Sequence, residues 1–74
     1  MKVAETTVQY DGRILTVDAY IYSLHTKNVD IKSVKHLGRN IVGQEFSELL
    51  YNDQFKLRLL KKVERIVGNK ALAN

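Results

Sequence analysis

Two glycines with the spacing of a phosphate-binding loop are the first candidates for chemistry in this 74-residue chain. In the segment HLGRNIVGQEFSELL, Gly38 and Gly43 are separated by four residues and precede a helical pattern. A nucleotide-binding P-loop needs a lysine after its second glycine, and then a Ser or Thr that holds magnesium. Gln44 and Glu45 occupy these positions, and a carboxylate repels phosphate. The sequence therefore predicts a turn at Gly38 and a helix cap at Gly43, and not nucleotide hydrolysis.

Other side chains suited to catalysis or metal binding are scarce. His25 and His36 are the only histidines, and the chain has no cysteine, so a zinc site lacks ligands. Glu45 and Glu48 share a helix face, but nothing around them indicates a pocket that raises a carboxyl pKa. We read both as solvated helix charges. We therefore predict that the protein is not an enzyme and has no metal site, no cofactor and no small-molecule substrate.

A basic face on the last helix is the strongest candidate for binding. Arg58, Lys61, Lys62 and Arg65 fall within an arc of about 100°, opposite the apolar stripe of the helix. A charged outer face is needed for solubility in any amphipathic helix. However, the chain from Gln54 to Asn74 has six basic residues and one acidic residue, an imbalance that solvation does not require. The pattern predicts contacts with the phosphates of a nucleic acid.

A second group of cations, Lys32, Lys35, His36 and Arg39, precedes Gly43. If this segment is a helix, the four residues share one face. If it is a strand, they divide between the two faces of a sheet. We predict that Lys32, Lys35 and Arg39 support phosphate binding.

Tyr20 and Tyr22 are the third candidate feature. Two residues apart on a strand, they point to the same side, together with Ile14. Exposed aromatic rings on a sheet stack unpaired bases in several RNA-binding modules. The alternative is that the helices cover this side and make the rings part of the core. If the side stays open, it is also a surface for a protein partner or a second copy.

A β-hairpin is the clearest structural signal. Asp11-Gly12 lies between two alternating, β-branched runs, which favours a two-residue type I′ turn. The predicted register pairs Tyr10 with Arg13. It continues with the pairs Val8–Leu15, Thr6–Val17 and Ala4–Ala19. One side of the hairpin is then apolar and the other mostly polar, as a half-buried hairpin requires.

Two segments after this turn have alternative readings. Residues 17 to 24 have apolar residues at helical spacing, but their tyrosines and β-branched residues favour a strand. Residues 29 to 37 are either a short helix capped by Asp30 or a third strand. A two-stranded hairpin is only marginally stable, which favours the third strand.

The chain from Gln44 onward predicts two helices. Phe46, Leu49 and Leu50 form the stripe of a short helix, and Asn52 or Asp53 caps the next one. The apolar residues of that longer helix cluster on one side. They are Phe55, Leu59, Leu60, Val63, Ile66 and Val67. Gly68 and Asn69 form a C-terminal signal, and we expect residues 70–74 to fray.

These features predict a single α+β domain over residues 1–74, with a hairpin or three-stranded meander followed by two helices that pack on the sheet. The absence of cysteine, of a signal peptide and of an apolar run of about 18 residues favours a cytoplasmic protein without a membrane segment. The formal net charge of +4 favours an anionic partner. In size and simplicity the chain is similar to small accessory proteins of phages and mobile elements.

The partner is predicted to be nucleic acid, with RNA favoured over duplex DNA. The alternative is an inhibitor or adaptor that engages an acidic protein through the open hairpin face or the last helix. A homodimer is compatible with both.

Overall fold

The computed structural model describes the backbone of residues 1–73 and the side chains of residues 1–67. Four antiparallel strands precede two helices, which confirms the α+β class. The strands are β1 (Lys2–Tyr10), β2 (Arg13–Ser23), β3 (Asn28–His36) and β4 (Arg39–Asn40). They form one sheet in the order β1-β2-β3-β4, so each strand lies beside its sequence neighbour. The helices are α1 (Gly43–Leu50) and α2 (Asp53–Ala73).

The predicted first hairpin is confirmed. Asp11 and Gly12 have φ values of 53° and 72°, as a type I′ turn requires. Three of the four predicted residue pairs are present: Tyr10–Arg13, Val8–Leu15 and Thr6–Val17.

The fourth predicted pair, Ala4–Ala19, is wrong. A β-bulge lies between Val3 and Thr6, and Val3 takes the place opposite Ala19. Glu5 has a φ of 52° within this bulge. The extra residue shifts the register by one position, so Ala4 is exposed instead of facing the core.

Strands form in both segments that had alternative readings. Residues 17–23 belong to β2, and residues 29–36 belong to β3. A second two-residue turn follows β3, in which Leu37 and Gly38 have φ values of 54° and 78°. It leads into β4, a strand that the sequence analysis missed. Gly43, with a φ of 66°, is the first residue of α1 and not the residue before it.

The core lies between one face of the sheet and the two helices. The sheet contributes six buried side chains to it besides Ala19, namely Val8, Leu15, Val17, Ile21, Ile31 and Val34. α2 contributes Phe55, Leu59, Leu60 and Val63, and α1 contributes Leu49. Ile66 and Val67, the last residues of the predicted stripe, are not buried in the core, since each is more than a third exposed. The other face of the sheet is not covered by either helix, and Ile14 and Tyr22 are exposed there.

The two ends of α2 differ from each other in how well the sequence predicts them. The side-chain Oδ1 of Asn52 accepts a hydrogen bond of 3.0 Å from the Phe55 N–H, which confirms Asn52 as the cap. At the other end, the helix continues past Gly68 and Asn69 to Ala73, so the predicted end is wrong. The fraying expected for residues 70–74 stays a prediction, and Asn74 lies outside the described residues.

Candidate nucleic-acid interface

The four predicted cations of α2 line one groove, and we call them the basic flank: Arg58, Lys61, Lys62 and Arg65. All four side chains are exposed. The apolar residues of α2 dock on the sheet, and the basic flank lies to one side of them, above β1. The opposite wall of the groove is formed by Thr7, Val8 and Gln9. The cations thus face a strand and not only open solvent.

The basic flank has no carboxylate partner among the residues whose side chains are described. The two ion pairs found there are Arg13–Glu45, at 2.9 Å, and Lys32–Asp30, at 2.6 Å. Within the basic flank, the Arg58 Nη1 donates a hydrogen bond of 2.8 Å to the backbone carbonyl of Gln9. A guanidinium has five N–H donors, so this bond leaves most of them available. Among the described side chains, no anion therefore pairs with the four positive charges of the groove.

The strand wall of this groove is a free edge of the sheet. β1 is the first strand in the sheet order and pairs only with β2. Tyr10–Arg13 closes the two-residue turn, so Tyr10, Val8 and Thr6 form the hydrogen-bonded pairs with β2. The backbone groups of Thr7 and Gln9 alternate with these and point outward. The bond from Arg58 to the Gln9 carbonyl agrees with this direction.

The sequence pattern does not mark Thr7 and Gln9 as candidates, because it predicts only that they lie on the polar side of the hairpin; both are exposed. The position of β1 at the edge of the sheet depends on which strands pair with which, and no local pattern indicates it.

The second predicted group of cations does not join the basic flank. Lys32 and Lys35 lie on β3 and Arg39 lies on β4, toward the opposite edge of the sheet from β1. Lys35 is opposite Thr16 and Asn40, on the uncovered face, whereas Arg39 is opposite His36, on the other face. The division between faces that a strand implies is therefore confirmed. The hydrogen bond that the Lys32 ammonium donates to the Asp30 carboxylate raises the pKa of Lys32.

Tyr20 and Tyr22 lie on the uncovered face of the sheet. Their relative exposures are 41% and 62%, so the alternative that the helices bury these rings is wrong. The two rings contact each other, with centroids 4.9 Å apart and planes inclined at 57°. Tyr20 is opposite Lys2 and Asp30 in the sheet. The rings are thus accessible, on the other side of the sheet from the basic flank.

Asp18 organises the centre of the uncovered face. Its Oδ1 accepts a hydrogen bond of 2.7 Å from the Glu5 N–H, and its Oδ2 accepts one of 3.0 Å from the Ser33 hydroxyl. Glu5 belongs to the bulge of β1, and Ser33 follows a second irregularity, at Lys32 in β3. The Glu5 N–H, and then the Ser33 hydroxyl, lower the pKa of Asp18. Asp18 therefore holds two strand irregularities together from the strand between them.

The two carboxylates of α1 accept hydrogen bonds from side chains of the fold. Glu45 pairs with Arg13, and Glu48 accepts a hydrogen bond from Gln44. Within the described part of the chain, no three His, Asp or Glu side chains come together as a metal site. The same residues include no helix with the length and apolar character needed to cross a bilayer.

Known proteins give no guide to the role of this surface. Neither the models of known protein families, nor the curated proteins, nor the solved structures include a match to the chain.

Proposed function

We propose that the protein is a small, non-enzymatic regulator that binds nucleic acid, with RNA favoured over duplex DNA. The basic flank contacts phosphates, and the Tyr20–Tyr22 pair offers exposed rings to unpaired bases. The observation that carries the proposal is the set of four exposed cations in one groove without a carboxylate partner among the described side chains. Each cation that neutralises a phosphate releases counterions, which is the main source of affinity in such complexes.

The preference for RNA rests on the tyrosine rings. Both are exposed on an open sheet face, where an unpaired base can stack. Paired bases in a duplex are stacked on one another and do not offer their planes to a side chain. Lys32, Lys35 and Arg39 lie toward the opposite edge of the sheet from the basic flank, so we do not assign phosphate contacts to them. Lys32 is in addition paired with Asp30.

The first test is fluorescence anisotropy with a labelled single-stranded RNA and a labelled DNA duplex, each at about 50 and about 200 mM salt. Four phosphate contacts with a single strand predict a loss of about 50-fold in affinity across this range. The variant Lys61→Glu with Lys62→Glu should bind at least tenfold more weakly at the lower salt concentration. It should also show a shallower salt dependence, because at least two contacts are lost.

A matched control separates this local effect from net charge. Lys27→Glu with Lys56→Glu changes the formal charge by the same amount, but these residues line a different surface depression, with Asp53 and Leu57. We expect this control to retain most of the affinity. Equal weakening of both variants would indicate attraction by net charge alone. Absence of salt-sensitive binding by the wild-type protein would overturn the proposed function.

A second candidate function is supported by the apolar character of the uncovered face. Ile14 is 66% exposed beside Gln9, and Tyr22 is 62% exposed further along β2. Such a surface suits an inhibitor or adaptor that binds another protein, or a homodimer. Sedimentation equilibrium of the wild type and of Ile14→Glu tests the homodimer, since a charge at this position should dissociate it. If a different protein binds the wild type and does not bind Ile14→Glu, the result would support this function over the first.

A further inference from the structure

The free edge of β1 borders the basic flank over a short window. Between the bulge and the turn, only Thr7 and Gln9 direct their backbone groups outward. The Arg58 side chain already donates a hydrogen bond to the Gln9 carbonyl. The Thr7 N–H, the Thr7 carbonyl and the Gln9 N–H remain, two donors and one acceptor in a row. These groups and the basic flank line the same groove.

The two walls of the groove have comparable lengths. Arg58 and Arg65 are seven residues apart on a helix, which corresponds to about 10 Å along its axis. The outward groups of Thr7 and Gln9 are about 7 Å apart along the strand. A ligand that lies in the groove can therefore contact cations on one side and backbone donors and acceptors on the other at the same time.

This combination distinguishes a single strand from a duplex. Unpaired bases present donors and acceptors on their Watson–Crick edges, whereas a duplex uses these groups internally. A strand edge presents donors and acceptors in alternation and can pair with such base edges. Phosphates on the same nucleotides need cations nearby, and the basic flank supplies them.

Building on the proposed function, we infer that the edge of β1 at Thr7 and Gln9 reads the bases of a single-stranded RNA whose phosphates lie along Arg58, Lys61, Lys62 and Arg65. Backbone contacts with bases give sequence preference, and phosphate contacts do not. The edge of β1 then adds to the preference for single-stranded RNA that the tyrosine rings give, and α2 supplies the affinity common to single and double strands.

A second copy of the chain is a poorer occupant of the same edge. Antiparallel pairing of two β1 strands would bring the basic flanks of both copies to the junction. Eight cations would then lie close together, which costs free energy. Charge therefore favours an anionic ligand at this edge.

The first test removes a single backbone donor. Thr7→Pro deletes an N–H that takes no part in the ladder with β2, and proline is tolerated at such outward positions of edge strands. We expect this variant to bind single-stranded RNA at least tenfold more weakly, with the same salt dependence as the wild type. The wild type should also prefer the single strand over a duplex of the same sequence, and this preference should be smaller in the variant, which keeps only the contribution of the tyrosine rings. Unchanged affinity and preference in a folded variant would overturn the inference.

A second measurement does not depend on the folding of that variant. Amide hydrogen exchange, followed by NMR with and without saturating single-stranded RNA, reports directly on the Thr7 and Gln9 N–H groups. Both should exchange at least tenfold more slowly in the complex. The Asn40 N–H points outward from β4, at the opposite edge of the sheet, by the same alternation counted from the His36–Arg39 pair, and serves as an internal control. Unchanged exchange at Thr7 and Gln9 in an RNA complex would overturn the inference and leave the proposed function intact.

Three further outcomes would overturn the inference. If no RNA probe binds, both the inference and the proposed function fail. If a polyglutamate peptide protects Thr7 and Gln9 and RNA does not, the edge accepts an acidic protein strand, and the inference is overturned. Self-association that Thr7→Pro abolishes would likewise replace RNA by a second copy.

Discussion

The groove beside α2 and the uncovered face of the sheet both carry charged residues, but the two surfaces differ in the partners of these charges. The basic flank contains four cations, none of which forms an ion pair with a carboxylate among the described side chains. On the uncovered face, Lys32 is bonded to Asp30, and Asp18 is bonded to the backbone of β1 and to Ser33. The cations of the groove have no carboxylate partner among the described side chains, whereas Lys32 and Asp18 on the uncovered face are bonded within the fold.

This difference indicates that the charges of the groove serve ligand binding, whereas those of the uncovered face support the fold. An ion pair on the surface contributes little to stability and reduces the charge available to a partner. Cations without partners leave the whole of their charge available, at some cost from mutual repulsion. We therefore assign electrostatic affinity to the groove. The uncovered face contributes through its aromatic rings.

The largest effect expected on the uncovered face concerns these rings. Tyr20→Ala with Tyr22→Ala should weaken the binding of single-stranded RNA by about tenfold or more, because stacking contributes about 1–3 kcal/mol per base. The salt dependence should stay the same, since no phosphate contact is lost. Anisotropy at two salt concentrations measures both quantities. Tyr20→Phe with Tyr22→Phe keeps the rings and should retain the affinity. Equal binding by the alanine variant and the wild type would exclude this face from the interface.

A smaller effect concerns stability and pH through Asp18. Because the folded state lowers the pKa of this carboxyl below its ordinary value of 3.8, the unfolded chain binds a proton more readily. The stabilising contribution is therefore complete above the unfolded pKa and is lost as the pH falls through the folded pKa. Asp18→Asn should lower the melting temperature at neutral pH, and the difference from the wild type should shrink as the solution is acidified.

The same variant sharpens the contrast between the two surfaces. Asp18 supports the sheet and does not face the groove, so Asp18→Asn should leave RNA affinity at neutral pH within about twofold of the wild type. Asp11→Asn makes the same change of charge at a turn position that suits asparagine equally well, and it controls for net charge. A strong gain in RNA affinity for Asp18→Asn alone would show that this carboxylate opposes binding from the uncovered face.

The smallest effect is expected at the turn between β3 and β4, toward the edge opposite the groove. Leu37 is 87% exposed and has a φ of 54°, a conformation that is unfavourable for a leucine. Leu37→Asn should stabilise the fold by about 0.5–1 kcal/mol without changing RNA affinity. Thermal unfolding should show a rise of about 2–8 °C in the melting temperature. Asp11→Leu, the reverse change in the first turn, should destabilise the fold, and opposite results would contradict this explanation.

The two turns also show where the sequence is sufficient to predict the fold. Asp11-Gly12 and Leu37-Gly38 have the same left-handed backbone, but only the first pair has two residues that favour it. The sequence therefore predicts the first hairpin, its turn type and most of its register. The second turn has only Gly38 as a local signal, and β4 is two residues long, so the fourth strand was missed.

The candidate site also has one part that the sequence predicts and another part that it does not. Helical periodicity alone places Arg58, Lys61, Lys62 and Arg65 on one side of α2, because that spacing is a local property. The opposite wall of the groove depends on β1 being the edge of the sheet, which arises from the pairing of distant segments. The bulge at Ala4 and Glu5 is equally hidden, because its partners Asp18 and Ser33 lie on other strands. The edge position of β1 and the bulge thus depend on contacts between elements, which local sequence patterns do not predict.

The side chain of Asn52 has a consequence for the opening of the native structure. It caps α2 through Phe55, and its amide also donates a hydrogen bond of 2.6 Å to the Tyr10 hydroxyl at the end of β1. The Tyr10 ring meets the Phe55 ring edge to face, with centroids 5.5 Å apart. Separation of the start of α2 from the hairpin therefore breaks the Asn52–Tyr10 hydrogen bond and the ring contact together. We expect α2 and the first hairpin to open as one cooperative unit, although 42 residues separate Tyr10 from Asn52 along the chain.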